Sequence, residues 1–82
     1  MIVRVLYFAS VRERLRREHD EIEVGSRATV ADLWEALRRR HPGLSEVGAS
    51  LRFAVNQEYV DRQHGLADGD EVAVIPPVSG GM

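Results

Sequence analysis

Ile2 to Ala9 is apolar or aromatic at every position except Arg4, with Val3, Val5 and Tyr7 on one side and Leu6 and Phe8 on the other. The β-branched and aromatic content predicts a strand that is apolar on both faces. Ser10-Val11-Arg12-Glu13 has the form of a capping box, and a short helix to about Glu18 is expected to follow. Glu21 to Val24 sets Ile22 and Val24 against Glu21 and Glu23, the alternation of a half-buried strand that ends at Gly25-Ser26. Thr29 is placed to cap the clearest element, a helix whose Val30, Leu33, Trp34 and Leu37 form one apolar stripe. Asp32 near its start and Arg38, Arg39 and Arg40 near its end suit the helix dipole, and Pro42-Gly43 stops it.

Leu44 to Leu51 reads as loop with a turn of helix. Arg52 to Val60 reads as two short strands around Gln57-Glu58, with Phe53 and Val55 inward. Ala67-Asp68-Gly69-Asp70 is a turn signal. Glu71 to Ile75 is the last strand, with Val72 and Val74 on one face and Ala73 and Ile75 on the other. Pro76-Pro77 ends its pairing, because proline has no N–H to donate. A single amphipathic helix covers one face of such a sheet. By parity the other face keeps Leu6, Phe8, Ala73 and Ile75, and an exposed apolar patch marks a partner site.

Composition narrows the chemistry. With 82 residues, 44% hydrophobic and 29% charged, the chain is one globular domain with one thin core and little room for a deep pocket. A formal net charge of −2 argues against a nucleic-acid partner. No apolar run reaches the length of a membrane span, and the start of the chain does not read as a signal peptide. No cysteine is present, which excludes disulfides and thiolate metal sites and fits a cytoplasmic protein. All 11 basic residues are arginine, so lysine-based covalent chemistry is excluded as well. His19, His41 and His64 lack ligand spacing and read as solvated loop or helix-end residues, so no metal is expected. Arg38-Arg39-Arg40 reads as a solvated helix end and Asp68, Asp70 and Glu71 as a turn, in preference to an anion or a cation site.

The chain finishes Pro76-Pro77-Val78-Ser79-Gly80-Gly81-Met82. Paired glycines thread a narrow channel and adopt backbone angles closed to other residues, and prolines keep the exit extended. The expected organisation is a domain over residues 1–77 and a flexible tail over 78–82, able to carry its terminal atoms into another protein's active site.

Val5-Leu6-Tyr7-Phe8-Ala9 with Arg12-Glu13, then Thr29-Val30-Ala31-Asp32-Leu33, Ala54-Val55-Asn56-Gln57, and Leu66-Ala67-Asp68-Gly69-Asp70-Glu71-Val72 leading into the tail together resemble a known family. The pattern is similar to the small subunits of molybdopterin synthase, the MoaD-type sulfur carriers of the ubiquitin-like β-grasp superfamily. The resemblance spans nearly the whole chain. It implies an α+β fold, with a mixed sheet and one main helix packed on one face.

It also implies a reaction. In this family an activating enzyme related to those of ubiquitin adenylates the last glycine with ATP, and sulfur then displaces AMP to leave a thiocarboxylate. The tail enters the large synthase subunit and gives sulfur to a pterin precursor, twice for the two sulfurs of the dithiolene. By resemblance Gly81 carries the sulfur, while Gly80 and Ser79 allow insertion. The domain itself binds no cofactor. Acid–base residues are expected on the partners, and Leu6, Phe8, Tyr59 and Ile75 are expected to form the face that docks them. Family tails end at Gly-Gly, whereas here Met82 follows, so removal of Met82 is expected before Gly81 can be adenylated. Two other readings stay open: a sulfur carrier for thiamine or tRNA thiolation, and a ubiquitin-like protein modifier.

Overall fold

The computed structural model describes residues 1–46 and 48–77, with Ala49 described by its backbone alone. The expected tail, residues 78–82, lies outside the described residues. Five strands and two helices follow in the order β1 (Ile2–Tyr7), α1 (Ala9–Leu15), β2 (His19–Glu23), α2 (Val30–Arg40), β3 (Arg52–Val55), β4 (Glu58–Val60) and β5 (Glu71–Ile75). Two 3₁₀ segments, Pro42–Glu46 and Gly48–Ser50, lie between α2 and β3. The strands form one mixed sheet in the order β2-β1-β5-β3-β4, with β1 and β5 parallel at its centre and every other pair antiparallel. This is the α+β β-grasp architecture.

The helix α2 forms where the apolar stripe predicts it. Thr29 and Asp32 make a reciprocal capping box, in which the Thr29 hydroxyl accepts from the Asp32 amide and the Asp32 carboxylate accepts from the Thr29 amide. The next two amides, Val30 and Ala31, donate to the carbonyls of His64 and Arg62, so the loop before β5 satisfies helix donors that α2 itself cannot. Val30, Leu33 and Leu37 are fully buried against Val3, Val5, Tyr7, Val72 and Val74 of the sheet. Each buried aliphatic side chain of this size is worth about 1.5–3 kcal/mol against exposure. Trp34 meets Phe53 edge-on at 6.0 Å, and the Arg62 guanidinium lies over both rings while donating to the Gly48 carbonyl at 2.6 Å.

Three local expectations are corrected. Ser10 does not cap α1: the N-cap is Phe8, with no side-chain cap, because the chain turns out of β1 through Ala9 at φ 50°. That helix stops at Leu15, since Arg16 adopts a left-handed C-cap at φ 56° and its N–H returns to the Arg12 carbonyl at 2.8 Å. Strand β2 starts at His19 and ends at Glu23, and its inward residues are Asp20 and Ile22 while Val24 is half-buried past its end. Among the described residues, no helix is long and apolar enough to cross a membrane.

Candidate functional site

The sheet face opposite α2 is open. Register places Leu6 beside Ala73, Ala73 beside Ala54, and Ala54 beside Tyr59, so one row crosses β1, β5, β3 and β4. Two central alanines between larger residues leave a shallow apolar depression of about 300 Å³, lined by Phe8, Ala54, Gln57, Tyr59, Ala73 and Ile75. Phe8 and Tyr59 are exposed at 42% and 67%, so the depression is flanked by solvent-facing aromatic rings, the kind of apolar patch that marks a partner site. The structure thus brings Phe8, Tyr59 and Ile75 together as expected. Leu6 stays on the same face but lines the adjoining hollow with Arg4, Tyr7, Phe8, Arg12, Glu18 and His19.

Phe8 is presented by backbone strain. It sits at φ −125°, and the next residue, Ala9, is held in the left-handed region at φ 50°. That conformation costs an L-residue roughly 1–2 kcal/mol. The Phe8 carbonyl accepts from both Val11 and Arg12, at 3.1 and 3.3 Å, which fixes the corner. Beside it β5 runs out through Pro76 and Pro77, so the chain leaves the sheet next to the depression, from a central strand. Ser79, Gly80 and Gly81 lie outside the described residues.

The Asp-Gly-Asp turn has a structural role. Asp68 Oδ1 accepts from the Ile2 amide at 2.7 Å and Asp70 Oδ2 from the Ala67 amide at 2.8 Å. Asn56 donates to Asp70 Oδ1 at 2.9 Å and accepts from the Glu71 amide at 3.1 Å, pinning the β3–β4 turn to the start of β5. Gly69 is needed there at φ 85°. Among the described residues, no group of three His, Asp or Glu is gathered to hold a metal.

A second polar centre was not legible from periodicity. Asp20 is 3% exposed on the α2 side of the sheet. It accepts from the Tyr7 hydroxyl at 2.6 Å, meets His41 Nε2 at 2.9 Å, and pairs with Arg17 at 2.7 Å and Arg40 at 3.9 Å. Burial pushes its carboxyl upward, but the Tyr7 and His41 hydrogen bonds and the two arginines outweigh that and hold it below the usual carboxylate range. Burial, then the hydrogen bond to Asp20, pushes the Tyr7 phenol above its ordinary value. His41 is therefore a half-buried strut at the C-cap of α2 and not a solvated residue. This centre ties β1, β2, the segment after α1 and the end of α2 together, directly behind the strand that presents Leu6 and Phe8.

The ThiS family model matches residues 5–81. The chain belongs to the ThiS family. The molybdopterin synthase sulfur carrier subunit of Homo sapiens is 45% identical over 96% of this chain and 93% of its own length. SAMP1 from Haloferax volcanii superposes with a TM-score of 0.89 at 31% identity, covering 99% of this chain and all of that one (100%). A chain from the complex of subunits 1 and 2 of molybdopterin-converting factor of Helicobacter pylori superposes with a TM-score of 0.72 at 28% identity, covering 99% of this chain and 100% of its own. The match extends through the Gly80-Gly81 end of this ThiS-family chain, so the motif set and the fold lead to the same family.

Proposed function

We propose that this chain is the sulfur carrier of molybdopterin synthesis. The observation that carries the reading is that the strand leading into Ser79-Gly80-Gly81 leaves the sheet beside a shallow apolar depression, in a chain 45% identical to a molybdopterin synthase sulfur carrier subunit. After loss of Met82, the Gly81 carboxylate attacks the α-phosphorus of ATP on an adenylating enzyme and pyrophosphate leaves. A sulfur nucleophile then displaces AMP, giving the thiocarboxylate. Activation is required because a C-terminal carboxylate, with a pKa near ~3.5, is an anion at neutral pH and a poor electrophile.

The depression is the docking face for both the adenylating enzyme and the large synthase subunit, with Phe8, Tyr59 and Ile75 as anchors and Leu6 beside them. Ser79 and Gly80 supply the narrow segment that enters the partner. Since both partners need the same face and the same tail, they bind in turn. The chemistry belongs in the cytoplasm, where ATP and the pterin precursor are available. The test loads a chain ending at Gly81 with sulfur, adds the large subunit and pterin precursor, and assays dithiolene. The reading fails if loaded chain gives no dithiolene while an established carrier does.

A second reading is favoured by one observation, the similarity to SAMP1, a small archaeal modifier protein. In that case Gly81 is joined to amines of other proteins. A stable amide adduct without sulfur in cells, at wild-type levels of cofactor synthesis, distinguishes it.

A further inference from the structure

Pairing of β3 with β4 ends at Phe53 and Val60, and the chain beyond Val60 turns away to meet the start of α2. Where the strands part, a hollow of about 400 Å³ opens, with Arg52, Phe53, Tyr59, Asp61, Arg62 and Gln63 in its lining. Tyr59 also borders the apolar depression, so the two concavities adjoin at one residue. The half-buried Arg62 is held fixed. Its Cζ lies 5.1 Å from the Phe53 ring centre and 5.8 Å from that of Trp34, and its Nη2 donates to the Gly48 carbonyl at 2.6 Å. Its own carbonyl accepts from the Ala31 amide at 2.9 Å, which ties its backbone to α2. Yet among the described residues neither Arg62 nor Arg52 has a carboxylate partner, and Nε and Nη1 of Arg62 make no hydrogen bond. Asp61 lines the hollow too, but its Oδ1 accepts from the Gln63 amide at 2.9 Å. The lining therefore carries two arginines against one aspartate. A cation drawn out of water is normally paired, and ring faces offset its charge only in part. A guanidinium already held in one orientation loses little freedom when it binds, and its planar fork matches a carboxylate.

We propose that this hollow is a carboxylate subsite of the docking face: an Asp or Glu side chain of the large subunit seated on the apolar depression reaches past Tyr59 and pairs with Arg62 and Arg52. The subsite rests on the depression being the docking face. Continuity through Tyr59 assigns it to the same protein partner, and the excess of arginine over aspartate sets the sign of the group it takes. The apolar anchors then supply area, while the arginines reward the partner that brings an acid to this edge and disfavour one that brings a base.

The test is calorimetry of the full chain and its variants with the large synthase subunit, at low and at high salt. Wild-type affinity is expected to fall as salt rises. Arg52→Gln is expected to bind roughly fivefold or more weakly at low salt and to converge on the wild type at high salt, where the charge pair is screened. Arg62→Gln should behave alike; because Arg62 also covers Trp34 and Phe53, its urea midpoint is measured, and the exposed Arg52 decides the case if that variant is unstable. Arg27→Gln, in the loop between β2 and α2, removes the same charge elsewhere and is expected to bind as wild type. Phe8→Ala is expected to weaken binding at both salt concentrations while keeping the wild-type salt dependence. If Phe8→Ala weakens binding but Arg52→Gln matches the wild type or Arg27→Gln, the carboxylate subsite is overturned and the docking face stands. If Phe8→Ala binds as wild type, the docking face itself is overturned and the subsite with it. Self-association of the chain that Arg52→Gln abolishes would also overturn the proposal, by making a second copy the occupant.

Discussion

Tyr7→Phe removes one oxygen from a fully packed position. The Tyr7 ring is 2% exposed, and its hydroxyl donates at 2.6 Å to a carboxylate that is itself 3% exposed. The ring still fills its place, so no large cavity term arises. What is lost is a hydrogen bond to a charged acceptor, worth about 1.5–3 kcal/mol. For a domain of this size that lowers Tm by roughly 6–24 °C, at about 4–8 °C per kcal/mol. Asp20 keeps His41 and Arg17, so the variant still folds. The pH dependence follows from the direction of the shift. The folded carboxyl of Asp20 is held below its unfolded value of about 3.9, so its contribution is complete above that value and is lost as the pH falls through the folded value. Without the Tyr7 donor the folded value rises, and the contribution is lost at a higher pH. Urea denaturation of both chains at pH 7 and near pH 3 should show the full deficit at pH 7 and a smaller one in acid. A deficit under about 0.5 kcal/mol, or one equal at both pH values, would refute the assigned role of the Asp20 centre.

Gly48→Ala should destabilise by about 1–3 kcal/mol in urea melts, because a Cβ there would lie 2.3 Å from Trp34 Cζ2 and the facing indole is fixed against Phe53. Arg16→Gly should stabilise by about 0.5–1 kcal/mol, since glycine takes the left-handed C-cap at φ 56° without strain; an unchanged or lower Tm would contradict this. Phe8→Ala should leave the urea midpoint nearly unchanged, as its side chain is exposed, while weakening capture of the large subunit by about tenfold or more in calorimetry. Global unfolding of that variant, or both partners bound at once to one copy, would count against a shared docking face.

Much of the fold was legible because its signals are local. The stripe Val30, Leu33, Trp34, Leu37 and the Thr29–Asp32 cap mark α2, and Pro76-Pro77 marks the end of β5. The outward parity of Phe8, Ala73 and Ile75 also followed from alternation. The misses share a cause: backbone states that these residue types do not advertise. Alanine at φ 50° and arginine at φ 56° shift both ends of α1, where the sequence showed a serine cap and no glycine stop. Asp20 was hidden for a related reason. Alternation counts an aspartate as solvent-facing, and only the meeting of Tyr7, Arg17 and His41 around it makes an inward carboxylate tolerable. Gln57 was missed as a lining residue because the turn falls at Asn56-Gln57, one residue before the expected place, and both turn residues take positive φ, at 51° and 75°.

The central claim is that Gly81, once exposed, is the atom-carrying end of this domain. The most direct measurement is intact-mass analysis of the chain recovered from its native cell and after incubation of a chain ending at Gly81 with adenylating enzyme, ATP and a sulfur donor. Met82 should be lost in the cell, and in the reaction one oxygen should be replaced by sulfur that disappears when large subunit and pterin precursor are added, with dithiolene formed in proportion. A chain that keeps Met82 throughout, or one whose Gly81 carboxyl never acquires sulfur, would contradict it.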